Sequence, residues 1–527
     1  MADLLLYDTT LRDGTQGEGV SLTVEDKLMV LKRLDKLGIQ YAEGGWPGSN
    51  PKDIEFFQRA ADLKLNQLRL AAFGSTRRAK VAVEDDPNLD AILKSGVKTA
   101  TIFGKTWDLH VREALRTTLE ENLRMIAESV AYLKSHGLEV LYDAEHFFDG
   151  YNANSQYALQ TVREAAAAGA DCICLCDTCG GTMPWLVEEL VAKLHAELKT
   201  PLGIHTHNDS GLAVANSLMA VRAGATQIQG TINGYGERNG NADLCVIIPN
   251  LTLKLGREVI SAEQLATLTQ VSRYVQELAN QSPDPRQPYV GASAFAHKGG
   301  IHVSAILKHP QTYEHIAPEL VGNKRRVLVS ELAGISNIIY KAREFNLQLE
   351  RSSPVTGRIV SQIKELEHKG YQFEGADGSF ELLVRKELSQ IPPLFVLEGF
   401  RLVTEKKEDN GPAISEATIK LRVGDSRVHT ASEGDGPVNA LDNALRKALE
   451  TFYPQLKSIK LSDYKVRVLD EKSGTAAKVR VLIQTKDEKR SWGTVGVSTD
   501  IIEASWRALV DSLEYGILFA ADEPQQG

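Results

Sequence analysis

Eight short apolar segments, each followed by an amphipathic stretch, recur through the first half of this chain and restrict its fold more than any other feature. They are LLLYDTT (4–10), IQYAEGG (39–45), LRLAAFG (68–74), TATIFGK (99–105), EVLYDAE (139–145), DCICLCD (171–177), LGIHTHN (202–208) and TQIQGTI (226–232). Successive starts lie 24 to 40 residues apart, the length of one strand plus one crossover helix. TVEDKLMVLKRLDKLG shows the helical half of the unit, with Thr23 placed to cap its start and Gly38 to stop it. Eight such βα units predict closure into a (β/α)8 TIM barrel, an α/β fold; an open doubly wound sheet is the alternative.

The chain has 527 residues, room for roughly three domains at ~150 residues each. After residue 255 the alternation ends. Residues 256–282 read as helical, Pro283, Pro285 and Pro288 interrupt regular structure, and 290–390 read as mostly helical. Beyond IPP (391–393) strands dominate and a weak internal repeat emerges. ATIKLRV (417–423), followed by a helix from Gly436 to Glu450, is answered by AKVRVLI (477–483), followed by IIEASWRALVDSL (501–513). The expected organisation is a catalytic barrel over 1–282, a mainly helical linker subdomain over 283–390, and a C-terminal α+β regulatory domain with a pseudo-twofold repeat over 391–522.

Composition limits function more than fold. A net charge of −9 and a pI near 5.8 leave no basic footprint for nucleic acid or an anionic membrane surface. No apolar run approaches the ~20 residues of a membrane span, and MADLLLYDTT lacks the basic start of a secretory signal. Five cysteines make no disulfide framework, which fits a cytoplasmic protein. Four of them, Cys172, Cys174, Cys176 and Cys179, lie on or just after the sixth segment. Small residues alternating on a buried strand read as packing rather than as a zinc or redox site.

In a barrel the working residues sit where strands end. The first segment runs into Arg12-Asp13, and the seventh carries His205 and His207, two residues apart and so on one face. The loop after the eighth, Asn233 to Asn241, is glycine-rich and ends in an amide oxygen. Closure brings these three loops together, so Asp13, His205, His207 and Asn241 can form a mixed N/O site for a divalent ion, with open positions for substrate. Zinc, manganese and magnesium all suit that set. Arg12, beside a ligand, is placed to clamp a carboxylate or an oxyanion. Glu145 ends the fifth segment and points a carboxylate into the mouth, and Thr178 follows the sixth, where it can meet a substrate carboxylate. GYGERNG and GDGPVNA have neither the dinucleotide spacing nor the Lys-Ser/Thr of a phosphate loop.

DTTLRDGTQ, HTHND with GLAVANS behind it, and GYGERNGNADL together resemble the 2-isopropylmalate, homocitrate and citramalate synthases, part of a larger set of metal-dependent barrel enzymes. FAHKGGIHVSAI (295–306) and SEGDGPVNALDNAL in the tail extend the resemblance over nearly the whole chain. EGGWPGSNPKD (43–53) and FFDGYNANSQYAL (147–159) most resemble the citramalate synthase branch. The resemblance implies a Claisen condensation of acetyl-CoA with a 2-oxo acid; for pyruvate the product is (R)-citramalate, an entry to isoleucine without threonine. It implies Glu145 as proton-abstracting base or its orienting group. It also implies His302 and Tyr313 as site residues reaching over from the partner subunit of a homodimer, and Gln16, Glu43 and Thr178 around the substrate. The tail resembles the group's leucine- or isoleucine-sensing domain, so isoleucine is the expected effector.

Three other readings are open. 2-Oxoisovalerate in place of pyruvate would make the chain a 2-isopropylmalate synthase. The two acids differ by two carbons, about 1.6 kcal/mol at ~0.8 kcal/mol per buried methylene, and sequence spacing does not show pocket volumes. A metal-dependent acyl-CoA lyase, aldolase or carboxyl-transfer enzyme shares the barrel but not the repeated tail, and Lys105 is the only lysine among the strand-end residues. A non-catalytic amino-acid sensor has no use for an open metal site.

Overall fold

Eight parallel strands form a closed barrel: β1 (Leu5–Asp8), β2 (Tyr41–Gly45), β3 (Arg69–Ser75), β4 (Thr99–Lys105), β5 (Glu139–Glu145), β6 (Cys172–Asp177), β7 (Leu202–Thr206) and β8 (Gln227–Gly230). Closure is made by β1 on β8, with Leu5 opposite Gln227 and Tyr7 opposite Gln229. The computed structural model describes residues 4–329, 334–407, 409–410, 413–470, 474 and 476–519, so the expected C-terminal limit at 522 lies outside the described residues. The open-sheet alternative is excluded by the β1–β8 pairing.

Alternation along the strands sorts the barrel into two environments. Leu6, Ala42, Ala72, Ala100, Val140 and Ile173 face outward into one continuous apolar core under the helices. Tyr7, Tyr41, Ala71, Leu141 and Cys172 face inward and fill the barrel. Towards the carboxyl ends the inward positions turn polar: Glu43, Thr101, Asp143, His205 and Gln229 are all buried there. Cys174 and Cys176 are buried too, and burial pushes the Cys176 thiol up to about 11, so it stays protonated. The first crossover helix, Val24–Leu37, begins with a capping box between Thr23 and Asp26 and ends at Gly38 in the left-handed region (φ 95°).

The chain separates into two compact units, residues 1–295 with 316–325, and residues 296–315 with 326–527. Segment 316–325 therefore belongs with the barrel, where Asn323 Nδ2 donates to the carbonyls of Tyr289 and Gly291 at 2.8 and 3.0 Å.

In the second unit the stretch expected to be mostly helical is helical in four pieces, Gly300–Ile306, Ile335–Glu344, Pro354–His368 and Asp377–Glu387. Two short strands, β9 (Ala296–His297) and β10 (Arg326–Val327), pair in parallel. A separate core of Val329, Ile338, Ile359, Phe373, Phe380 and Val384 unites the last three of these helices. The tail forms two three-stranded antiparallel sheets. One is β11 (Val396–Glu405), β12 (Ile414–Val423) and β13 (Ser426–Gly434); the other is β14 (Lys460–Val468), β15 (Val479–Lys486) and β16 (Ser491–Ser498). Each sheet is followed by a helix, Pro437–Leu449 and Ile501–Phe519, and Leu441, Leu445, Trp506 and Leu513 share one core. The repeated segments ATIKLRV and AKVRVLI fall in the middle strands, β12 and β15.

Candidate active site

The turn after β1 and the end of β7 set three ligating side chains against one another. Asp13, His205 and His207 are buried, and one donor atom from each lies within 4.8 Å of the others. Asp13 Oδ2 is 3.4 Å from His205 Nε2, which is 3.3 Å from His207 Nε2. The loop after β8 folds back so that Asn241 bridges to His207, and its backbone N–H donates to the Gly234 carbonyl at 3.0 Å. Gly240 allows that return: its φ is 87°, and a Cβ there would sit 2.0 Å from the Gly234 oxygen.

Three observations show that these residues fit a divalent ion. Asp13 Oδ1 and both amide atoms of Asn241 are buried without a hydrogen-bond partner among the described residues, which a folded protein does not leave without cause. His205 Nδ1 lies 3.0 Å from Gln229 Oε1, while Gln229 Nε2 donates to Asp143 Oδ1 at 2.9 Å. With its own N–H engaged, Gln229 can only accept from His205, so the His205 proton sits on Nδ1 and the Nε2 lone pair faces the site. Burial pushes the His207 pKa down to about 3, with the neighbouring His205 adding to it. Burial opposes the Asp13 charge, but the Arg12 guanidinium is the largest of the influences that hold that carboxyl below its ordinary value. A carboxylate at Asp13 and an uncharged imidazole at His207 are protonation states a cation requires.

Arg12 is held from below and behind. Its Nε donates to Glu43, Tyr7 Oη donates to the other Glu43 oxygen at 2.9 Å, and the guanidinium lies 3.8 Å over the Phe73 ring. Gln16 Oε1 is 3.5 Å from an Arg12 nitrogen. These groups border a cavity of about 190 Å³ whose walls include Arg12, Asp13, Gln16, Glu145, Thr178 and His205. Glu43 does not reach it; it lies beneath Arg12 rather than around the substrate space. On β5, Glu145 is ion-paired with Lys105 of β4. Thr178 Oγ1 accepts from the His146 N–H at 2.9 Å. His302 and Tyr313 lie in the second unit, with their rings stacked 4.1 Å apart.

Sequence reasoning missed Gln229, Asp143 and an aromatic wall. Trp46, Phe73 and Phe103 pack together with centroids 5.4 to 5.7 Å apart, all bordering the cavity. The available signal was parity. Phe103 is in step with the inward Thr101, Asp143 with Glu145, and Gln229 with Tyr7, its register partner across the closing pair.

A closed barrel with this mouth defines the class first. The family profile described as HMGL-like matches residues 3–275, more than half of the chain. Profiles for the homocitrate synthase post-HMGL domain-like region and the LeuA allosteric (dimerisation) domain match 289–371 and 374–517. The chain is 58% identical to the (R)-citramalate synthase of Geobacter sulfurreducens over 98% of both chains, and 54% identical to that of Aquifex aeolicus, also over 98% of both. Identity to the 2-isopropylmalate synthase of Methanocaldococcus jannaschii is 33%, over 96% of this chain and 93% of that one. The chain belongs to the (R)-citramalate synthase branch of the 2-isopropylmalate, homocitrate and citramalate synthase family, enzymes that are condensing acyltransferases.

Proposed function

We propose that the chain joins acetyl-CoA to pyruvate and that water then cleaves the resulting thioester, giving (R)-citramalate and CoA, with Asp13, His205, His207 and Asn241 as the residues that would hold a divalent ion. An ion held there would supply Lewis-acid polarisation of the keto carbonyl. The rest is work for the chain's own groups. Arg12, fixed by Glu43 and Phe73, offers positive charge where the alkoxide grows at C2 of the oxo acid. Thr178 and Gln16 border the same space and bind the substrate carboxylate. Glu145 takes a proton from the acetyl methyl, and Lys105 holds that carboxylate in place. The family resemblance assigns His302 and Tyr313 to the mouth of a partner subunit, a homodimer through the LeuA-type domain, and isoleucine as the effector of that domain. The threonine-independent entry to isoleucine and a cytoplasmic setting, in keeping with the few cysteines, belong to the same proposal; no helix among the described residues is long and apolar enough to cross a membrane. The domain division 1–282, 283–390 and 391–522 is proposed with it.

The aromatic wall carries the preference for pyruvate. Phe73 lies against Arg12, Trp46 and Phe103 border the same cavity, and with the oxo acid's side chain against them rigid rings accommodate a methyl more readily than an isopropyl group. CoA release followed with a thiol reagent tests the reading, with pyruvate, 2-oxoisovalerate, 2-oxobutyrate and 2-oxoglutarate in parallel, with and without chelator. Chelator-sensitive release with pyruvate is expected. Preference for 2-oxoisovalerate would move the assignment to 2-isopropylmalate synthesis, and no release with any acid would overturn condensation.

A further inference from the structure

A second set of metal-ligating side chains stands at the barrel mouth, on the segments that follow β4, β5 and β6. His146 Nδ1 is 3.3 Å from Asp149 Oδ2 and 3.5 Å from Cys179 Sγ, and donors from all three lie within 4.8 Å of one another. His146 holds a left-handed backbone conformation (φ 58°), a cost for a residue other than glycine that persists where surroundings fix it. The neighbouring His110 ring lies 4.2 Å from that of His146 and stacks on Trp107 at 5.2 Å. Its Nδ1 is buried with no hydrogen-bond partner among the described residues. Burial, with His146 adding to it, lowers the His110 pKa.

We propose that His146, Asp149 and Cys179 form a second cation site for a zinc-class ion, distinct from the Asp13, His205 and His207 site. One thiolate, one imidazole and one carboxylate, with the fourth position open to water, suit a tetrahedral borderline ion and suit magnesium poorly. Burial and the adjacent Asp149 hold the Cys179 thiol up at about 11, so binding displaces one proton, from sulfur to solvent. The bound ion ties the segment after β5, which starts beside Glu145, to the one after β6, which starts at Thr178. The inference does not depend on the reaction assigned to the mouth.

Cobalt(II) separates the two sites spectroscopically. The Asp13, His205 and His207 site has only nitrogen and oxygen donors, so a sulfur-to-cobalt charge-transfer band in the near ultraviolet reports the second site alone. The full-length protein, stripped with chelator and titrated with Co²⁺, is expected to bind about two ions per chain and to develop that band with one of them. Cys179→Ser should bind about one ion, show no band and keep its CoA release. A wild-type protein that saturates at one ion without the band overturns the proposal. So does a band that survives in Cys179→Ser, which would place the thiolate at Cys174 or Cys176 inside the barrel.

Discussion

Gln229 decides which nitrogen of His205 faces Asp13 and His207, and nothing in its local sequence announces it. Asp13, His205, His207 and Asn241 were legible because each lies at or just past a strand end in a segment whose polarity breaks an apolar run. Gln229, Asp143 and Glu43 act from the barrel interior, through partners on strands far away in sequence, and a single chain does not display such pairs. Gln229→Leu removes the acceptor that fixes the His205 tautomer. Metal affinity should fall by about 10- to 100-fold, the usual loss when a group orienting a metal ligand is removed; unchanged affinity in a chelator-competition titration would discard that role. Glu145→Gln keeps the shape and removes the carboxylate proposed as the base. A fall in kcat of about 10²- to 10⁴-fold with little change in the KM for pyruvate is expected, measured by CoA release; a change confined to KM would make Glu145 a binding residue.

At the scale of elements, the eight βα units were readable because their period repeats and because inward and outward residues alternate on every strand. The tail was harder for an equally physical reason. β14 and β11 are exposed or half-exposed along their whole length, whereas β12 and β15 bury alternate residues. Those alternating middle strands are the ones the repeat revealed. The aromatic wall is likewise a property of elements, since Phe73 and Phe103 stack only because β3 and β4 are neighbours in the barrel. Phe103→Ala opens the wall without removing the ring that carries Arg12. If the wall excludes the two extra carbons of 2-oxoisovalerate, its kcat/KM relative to pyruvate should rise by about fifteenfold, the equivalent of ~1.6 kcal/mol. An unchanged ratio would move the selectivity elsewhere.

Across the whole molecule, buried acids in the barrel unit link stability to pH. Burial raises Asp8 to about 7, Asp143 to about 8 and Asp243 to about 6, from an ordinary 3.8. The folded state therefore keeps protons that the unfolded chain has lost, and stability falls as pH rises between about 4 and 8. Tm of the chelator-treated protein should drop across that window. Asp8→Asn should flatten the drop, since an amide can still meet the Thr10 N–H and hydroxyl that Asp8 now accepts from; an equal slope in the variant would rule Asp8 out as its source.

Removal of the tail tests regulation at the same scale, and helix Asp377–Glu387 determines what a cut there does. Its Phe380 and Val384 belong to the core of the linker helices. Its other face is polar: Ser379 donates to Asp511, Lys386 to Glu514, and Glu381 accepts from Tyr515. A chain ending at residue 391 keeps the apolar face packed and uncovers these polar groups, which water can satisfy, together with Ala376 and Tyr371, which pack with Val495 and Val497. Such a chain should retain chelator-sensitive CoA release while losing inhibition by isoleucine. Inhibition that survives the cut would place the effector outside the LeuA-type domain. Loss of activity together with loss of the dimer would instead show that the tail assembles the mouth as well as regulating it, and gel filtration of the same protein distinguishes the two.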